Sequence, residues 1–372
     1  GEQFGSSFKN SITSIGIGSF IGNVFADVFR GAVQEIKQFV SDTVQEFREF
    51  ETALTGLGKT TDLTGGQLKS ITGSLQNLSE AIPVSTNELL RIGQTAGQLG
   101  VRGSENILKF SDTIAKLGFA TDLTGNQAAT ALTRILNATG ESISEIDTFA
   151  SVIVRLGNGV AATESEIARI TNEIARATGS FGVSASEAAA FGSALRSVGA
   201  RAEGAGTSLG RITIEIEKIL REGGPRLNEL EKIFGKTSDE IQKTFSEDTA
   251  QSLRDFIKGI SRLDSVPQAL DSIGLSGQRV IKTIQPLASN AELLDKSFAL
   301  VNDELRNTSA LNDESARAFQ TLDSEIKQTL NSVDNLQVGL IKELAPALTD
   351  VAKNAREFIT SLDTKRLTLD LL

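Results

Sequence analysis

The sequence predicts an all-α fold, because helix start and stop signals recur along it. A Ser or Thr stands three residues before a Glu at Ser85/Glu88, Ser142/Glu145, Thr163/Glu166, Ser184/Glu187, Thr237/Glu240 and Ser289/Glu292. In such a pair the hydroxyl oxygen accepts a hydrogen bond from the third backbone N–H of a new helix, and the Glu returns one to the cap. Glycines, which tolerate the left-handed closing conformation, stand where these helices should stop: Gly100, Gly118, Gly140, Gly157, Gly179 and Gly199. No segment shows the apolar–polar alternation of a strand.

The first predicted element is a long N-terminal apolar helix over residues 1–56. No charge lies between Lys9 and Asp27. This stretch falls short of the roughly 20 apolar residues that a spanning helix needs. Two interpretations stay open: a conditional membrane segment, and the favoured one, a helix buried against partner helices. The candidate membrane-insertion residues are Ile12, Ile15, Ile17, Phe20, Ile21, Val24 and Phe25.

An array of short capped helices is predicted next, forming a compact core over residues 57–224. The pentapeptide TDLTG occurs at residues 61–65 and again at 121–125, which indicates reuse of one helical-hairpin plan. The tripeptide Gly-Gly-Pro at residues 223–225 is the strongest helix breaker in the chain and predicts a domain boundary. A region of further short helices follows over residues 225–310.

The last predicted element is one long coiled-coil-like helix over residues 311–372. Its apolar residues recur at alternating intervals of four and three, the spacing of a helix–helix seam. A cyclic homo-oligomer, with a trimer as the first choice, is the expected use of such a seam. The candidate seam residues are Ile326, Leu330, Val333, Gln337, Leu340, Leu344, Val351 and Phe358.

Composition excludes much catalytic chemistry. The 372 residues include no His and no Cys, so a Ser-His-Asp triad, a Cys nucleophile and a zinc site with nitrogen or sulfur ligands are all impossible. Residues 53–60 (ALTGLGKT) fit the loose pattern of a phosphate-binding loop, but the segment before them has helical period where that loop needs a strand. We therefore interpret them as a helix end closed by Gly56 and Gly58. No catalytic, cofactor-binding or metal-binding residues are predicted.

The charge balance and the missing methionine bear on partners and on chain length. The net charge is −10, with dispersed basic residues, which argues against sequence-specific nucleic-acid binding. The chain has no Met, so we expect it to be part of a longer protein.

Four stretches carry a resemblance to a known family. They are residues 47–54 (FREFETAL), 81–90 (AIPVSTNELL), 182–188 (GVSASEA) and 203–209 (EGAGTSL). In this order, and after an apolar Gly-containing stretch at residues 10–29, they resemble the helical core region of phage tail tape measure proteins. The resemblance covers about residues 30–225.

The resemblance implies a structural, non-enzymatic role. In that family several copies lie inside the growing tail tube, and chain length sets tube length. The copies leave ahead of the DNA during ejection, and parts of them can help form a passage through the host membrane. Implied partners are tail tube proteins and tail tip or baseplate hub proteins. The implied locations are the tube lumen or tail tip of the virion, and the host cytoplasm during assembly. The alternative is a helical pore-forming toxin or secreted effector without enzymatic activity.

Overall fold

A computed structural model describes residues 45–339 and Lys342, and every regular element in that part of the chain is helical. The helix α1 covers residues 45–60 and α17 covers residues 322–339. Between them lie α2 (Gly65–Ala81), α3 (Thr86–Gln98), α4 (Ser104–Ala120), α5 (Gly125–Thr139), α6 (Ile146–Gly159), α7 (Glu164–Thr178), α8 (Ala185–Ser197) and α9 (Ala202–Glu222). The remainder are α10 (Pro225–Phe234), α11 (Ser238–Glu247), α12 (Thr249–Ser261), α13 (Val266–Ser272), α14 (Gln278–Ala288), α15 (Ala291–Arg306) and α16 (Ala310–Phe319). The all-α prediction is confirmed for these residues.

The predicted N-terminal apolar helix lies almost wholly outside the described residues, as do all seven candidate membrane-insertion residues. Only its last part is seen, as α1. Within the described chain, no helix combines the length and the apolar character that crossing a bilayer requires.

The chain divides into two compact units. One comprises residues Thr52–Ser332, and the other comprises Gly1–Glu51 together with Val333–Leu372. In the larger unit, α7 is a central helix that packs against α5, α8 and α9. The larger unit contains the breaker at residues 223–225, where α9 ends and Pro225 opens α10. The division into four segments stays a prediction.

Four of the six predicted caps are confirmed. Ser85 accepts from the Glu88 N–H at 3.2 Å, and reciprocal capping boxes form at Thr163/Glu166, Ser184/Glu187 and Thr237/Glu240. The other two predictions are wrong. Ser142 caps a short 3-10 turn (Ile143–Glu145), and Ser289 closes α14 where a helix start was expected. Ser142 lies in the short connection between α5 and α6, and Ser289 lies in the two-residue connection between α14 and α15. The packing of these helices decides the backbone conformation there.

The repeated TDLTG pentapeptide contains two further caps, in which Gln replaces Glu. Gln67 accepts from the Thr64 N–H at 2.9 Å, and Gln127 accepts from the Thr124 N–H at 3.1 Å. The capping box admits Gln as well as Glu, so these pairs were present in the sequence but overlooked. Both copies of the pentapeptide thus start a helix in the same way.

The Asp of each pentapeptide reaches the start of a second, more distant helix. Asp62 accepts from the Gly103 N–H at 3.4 Å, where α4 begins, and Asp122 accepts from the Ser165 N–H at 2.9 Å, in the first turn of α7. A carboxylate is stabilising there because N-terminal N–H groups lack helical partners and carry positive partial charge. The pentapeptide therefore caps one helix next to it and another about 40 residues later, which confirms that one local plan is reused.

Asp122 contributes stability that depends on pH. Burial raises the pKa of its carboxyl, but hydrogen bonds from Ser165 and Thr163 outweigh that effect and bring the pKa below its ordinary value of 3.8. A carboxyl whose pKa is lower in the folded than in the unfolded state stabilises the fold at pH values above its unfolded-state pKa. This contribution is lost as the pH falls through the folded-state pKa. We expect Asp122→Asn to lower the free energy of unfolding by about 1 kcal/mol at pH 7 and by less at pH 3. Denaturant unfolding at both pH values tests this, and an equal loss at both would contradict it.

Four of the six glycine stops are confirmed. Gly100, Gly140 and Gly199 have positive φ and follow α3, α5 and α8. Gly179 ends α7 as its C-cap, but in the right-handed conformation, and opens a 3-10 turn. Gly118 and Gly157 lie inside helices. At Gly118 the reason is packing, because a Cβ there would stand 2.9 Å from the backbone nitrogen of Gly125.

The expected helix end at Gly56 and Gly58 is also wrong, since α1 continues through Thr60. The Gln94 side chain of α3 occupies the space that a Cβ on Gly56 would need. The Thr60 hydroxyl donates to the Gln94 backbone carbonyl at 3.0 Å. The motif at residues 53–60 is therefore part of a helix that packs closely on α3, and it does not form the loop that holds a nucleotide phosphate.

The predicted continuous helix from residue 311 is broken between α16 and α17. The first ends at Phe319 with Gln320 as its C-cap, and Thr321 caps the second, accepting from the Ser324 N–H at 3.2 Å. The Ser324 hydroxyl donates back to the Ala318 carbonyl at 3.0 Å. Short hydroxyl side chains compete with helical hydrogen bonding in this way, and the Thr-x-x-Ser sequence was not recognised as a cap.

Candidate interaction surface

The helix α17 exposes apolar side chains. Leu322, Ile326 and Leu330 are 73%, 50% and 55% exposed. Their spacing of four places them on one face of the helix. In the smaller unit, Val333 and Leu336 on the same helix are 43% and 68% exposed. Contiguous exposed Leu and Ile side chains of this kind mark a surface for association.

Within the larger unit, the opposite side of α17 is polar and turned inward. Asn331, only 7% exposed, donates from Nδ2 to the backbone carbonyls of Ser79, Ile82 and Val84 at 2.7, 3.3 and 3.1 Å. These carbonyls lie at the end of α2 and in the turn before α3. Ser324 is also fully buried. Farther along the helix, burial raises the pKa of the Asp334 carboxyl. The helix is thus held to the body by hydrogen bonds, which leaves its apolar face free.

An aromatic contact supports the start of α17. Phe119 of α4 and Phe319 at the end of α16 lie with ring centroids 5.3 Å apart. The Lys327 ammonium of α17 stands 5.6 Å from the Phe119 centroid and pairs with Asp323 at 2.6 Å. A cation over an aromatic face is attracted by the ring's quadrupole. Together with Asn331, these contacts fix the rotation of α17, and therefore which face is exposed.

Three of the predicted seam residues belong to this exposed set: Ile326, Leu330 and Val333. Gln337 is half-buried. Leu340, Leu344, Val351 and Phe358 lie outside the described residues. The sequence reasoning missed Leu322, which continues the four-residue spacing towards the N-terminus, and Leu336, which precedes the polar seam position. What the exposed face binds stays a prediction.

Among the described residues, no group of three or more acidic side chains is arranged to hold a metal ion. The acidic pair Asp239/Glu240 lies in the first turn of α11, where Glu240 closes the capping box with Thr237. Hydrogen bonds from Thr237 lower the pKa of Glu240. The pair therefore has a structural role at a helix start.

Removing the Asn331 amide should loosen α17. Asn331→Ala takes a buried donor away from three carbonyls, which costs about 1–3 kcal/mol. We expect amide hydrogen exchange in residues 322–332 to accelerate by about tenfold or more, because local opening becomes easier. Thr329→Ala is the matched control, since that exposed hydroxyl bonds only the Glu325 carbonyl of its own helix. Equal acceleration in both variants would show that Asn331 does not anchor the helix.

Comparison with known proteins gives two matches. A family model described as phage-related minor tail protein matches residues 72–273, more than half of the chain. The chain is also 21% identical over 332 residues to a probable tape measure protein of Halomonas phage phiHAP-1. That alignment covers 83% of this chain but only 38% of the relative, so the chain spans well under half of the relative's length. No solved structure matches the chain.

Proposed function

Because the chain belongs to the phage-related minor tail protein family, we propose that it is the folded helical region of a tape measure protein. The role is structural: copies of the protein lie in the tail tube lumen or tail tip of the virion, after assembly in the host cytoplasm. The match to a probable tape measure protein supports this role. The 62% of that relative outside the alignment leaves room for an extended ruler, which the folded region does not itself provide.

The observation that carries the proposal is the exposed apolar face of α17. A tail component has to contact other molecules, and this face offers Leu322, Ile326 and Leu330 for that purpose. The predicted seam continues in sequence from Val333 through Leu340 and Leu344. We propose that the face and the seam form a parallel bundle in a homo-oligomer, with a trimer as the first candidate. Tail tube proteins and tip or hub proteins would surround it.

Length determination and ejection are the finer parts of the proposal. A helical ruler extends about 1.5 Å per residue, so tail length should follow chain length. During infection the protein would leave ahead of the DNA. Residues 10–29, which include Ile12, Ile15, Ile17, Phe20, Ile21, Val24 and Phe25, would then help form a passage through the host membrane.

Tail length in electron micrographs tests the ruler role. In-frame deletions in the parent gene outside this region should shorten tails by about 1.5 Å for each deleted residue. The matched control replaces the same residues with an unrelated helical sequence of equal length, and its tails should keep the normal length. Unchanged tails in the deletion particles, with the protein absent from purified virions, would contradict the proposal and favour a toxin or secreted effector.

A further inference from the structure

A second surface of the larger unit is a cleft formed at the starts of α9 and α14. It has a volume of about 690 Å³ and is lined by residues 199–201, 203, 204, 278, 279, 282 and 283. Small-ligand sites in proteins have volumes of about 300–1,000 Å³. None of its lining residues belongs to α17, and the proposed tail function does not use it.

The cleft is strongly basic in an acidic chain. Arg201, Arg279 and Lys282 line it, and Glu203 is its one acidic lining residue. Arg211 is not a lining residue but stands beside the cleft, with its Nη1 3.3 Å from the position that a Cβ on Gly277, next to the lining residue Gln278, would take. Within the described residues, none of these four cations forms an ion pair.

The backbone adds to the positive potential. Neither Arg201, which precedes α9, nor Gly277, which precedes α14, supplies a side-chain cap to its helix. In α14 the Val280 N–H already bonds the Gly277 carbonyl at 2.9 Å, so the N–H groups without helical partners are those of residues 202–204 in α9 and of Gln278 and Arg279 in α14. Residues of both first turns, among them Glu203 and Arg279, line the cleft. Free N–H groups and the helix dipole favour an oxyanion at this position.

We propose that this cleft binds a phosphate group. Arginine recognises phosphate oxygens through its planar fork of donors, and lysine adds a point charge. The lining contains no aromatic side chain on which a base could stack, so the phosphate itself is the recognised part. The ligand is either a free phosphoryl compound or the phosphodiester of a nucleic acid, bound without reading its sequence.

Titration calorimetry of the full chain with pyrophosphate tests the proposal. Wild-type protein should bind in low salt, and Arg201→Ala/Lys282→Ala should weaken binding by at least about tenfold. Glu203→Gln should strengthen it, because the competing carboxylate is lost. The control Lys243→Ala/Arg262→Ala removes the same charge from exposed positions outside the cleft and should leave affinity within about twofold. Thermal unfolding of each variant checks that the fold is intact.

Two results would overturn the site: no binding by wild-type protein at 10 mM pyrophosphate, chosen as roughly the weak limit of specific binding, or equal losses in the cleft and control variants. Competition with a short single-stranded oligothymidine distinguishes the sources. Displacement of pyrophosphate supports the site and assigns it to a phosphodiester. Binding of pyrophosphate without displacement supports it and assigns a free phosphoryl ligand.

Discussion

Replacing Gly206 with leucine is expected to lower the free energy of unfolding by about 3 kcal/mol or more. Gly206 lies where α9 crosses α7, and a Cβ there would collide with the backbone carbonyl of Glu173. One turn later, a Cβ on Gly210 would stand 3.0 Å from the Ala177 Cβ. A backbone carbonyl cannot rotate away as a side chain can, so the two helices would have to separate. Overpacking of this kind costs about 1–3 kcal/mol and occasionally more.

A second helical glycine provides the matched control. Gly73, inside α2, has no atom within 4 Å of the position of an added Cβ. Gly73→Leu should therefore be neutral or stabilising by up to about 0.8 kcal/mol, because leucine is the better helix former. Chemical denaturation of the two variants beside wild-type protein measures the difference. Equal changes in both would show that the α7–α9 approach does not need a glycine.

Gly206 also explains a sequence motif whose meaning was not visible in the sequence. Residues 203–209 (EGAGTSL) contributed to the family resemblance only as a pattern of small residues. In the structure this stretch is the first part of α9, and it allows α9 to lie directly on the backbone of α7. Small residues permit such an approach, but their spacing alone does not say which neighbour they approach.

Helix caps formed by residues close in sequence were predictable, whereas the roles of glycines that depend on contacts between helices were not. The capping boxes at Thr163, Ser184 and Thr237 join residues three apart, so the sequence contains the whole interaction. Gly118 was predicted to stop a helix but lies within α4. Its missing Cβ allows the backbone of Gly125, in the next helix, to approach closely. A glycine can serve either purpose, and only the packing decides which.

The same distinction applies to α17. The apolar spacing predicted a helix with a seam, and Ile326, Leu330 and Val333 do lie on the exposed side. The spacing could not show that the inward side would be polar, because Asn331 bonds carbonyls about 250 residues earlier in the chain. Nor did it reveal the break at Thr321. The candidate surface was therefore only partly predictable: three of its five exposed apolar residues were named, but Leu322, Leu336 and the anchor that presents them were not.

Changing both Ile326 and Leu330 to glutamate is expected to abolish self-association while leaving the folded monomer intact. Each side chain is at least half exposed, so the monomer loses little apolar burial. In an oligomer the exposed half of each side chain would be buried, which is worth about 0.75–1.5 kcal/mol for each, and the glutamates would instead place unpaired charges there at a cost of several kcal/mol more. If the free energy of association falls by at least about 3 kcal/mol, the dissociation constant rises more than a hundredfold. Sedimentation velocity over a range of concentrations measures it.

The matched control is Ile214→Glu/Leu305→Glu. These apolar residues are exposed to a similar degree, at 53% and 47%, but belong to α9 and α15 in the same unit. The control adds the same charge through the same chemistry, so it should assemble like wild-type protein. If both double variants dissociate, charge repulsion is the cause and α17 is not the contact. If neither dissociates, self-association does not use the α17 face, which contradicts the proposed seam, because helix–helix pairing through it requires its apolar residues.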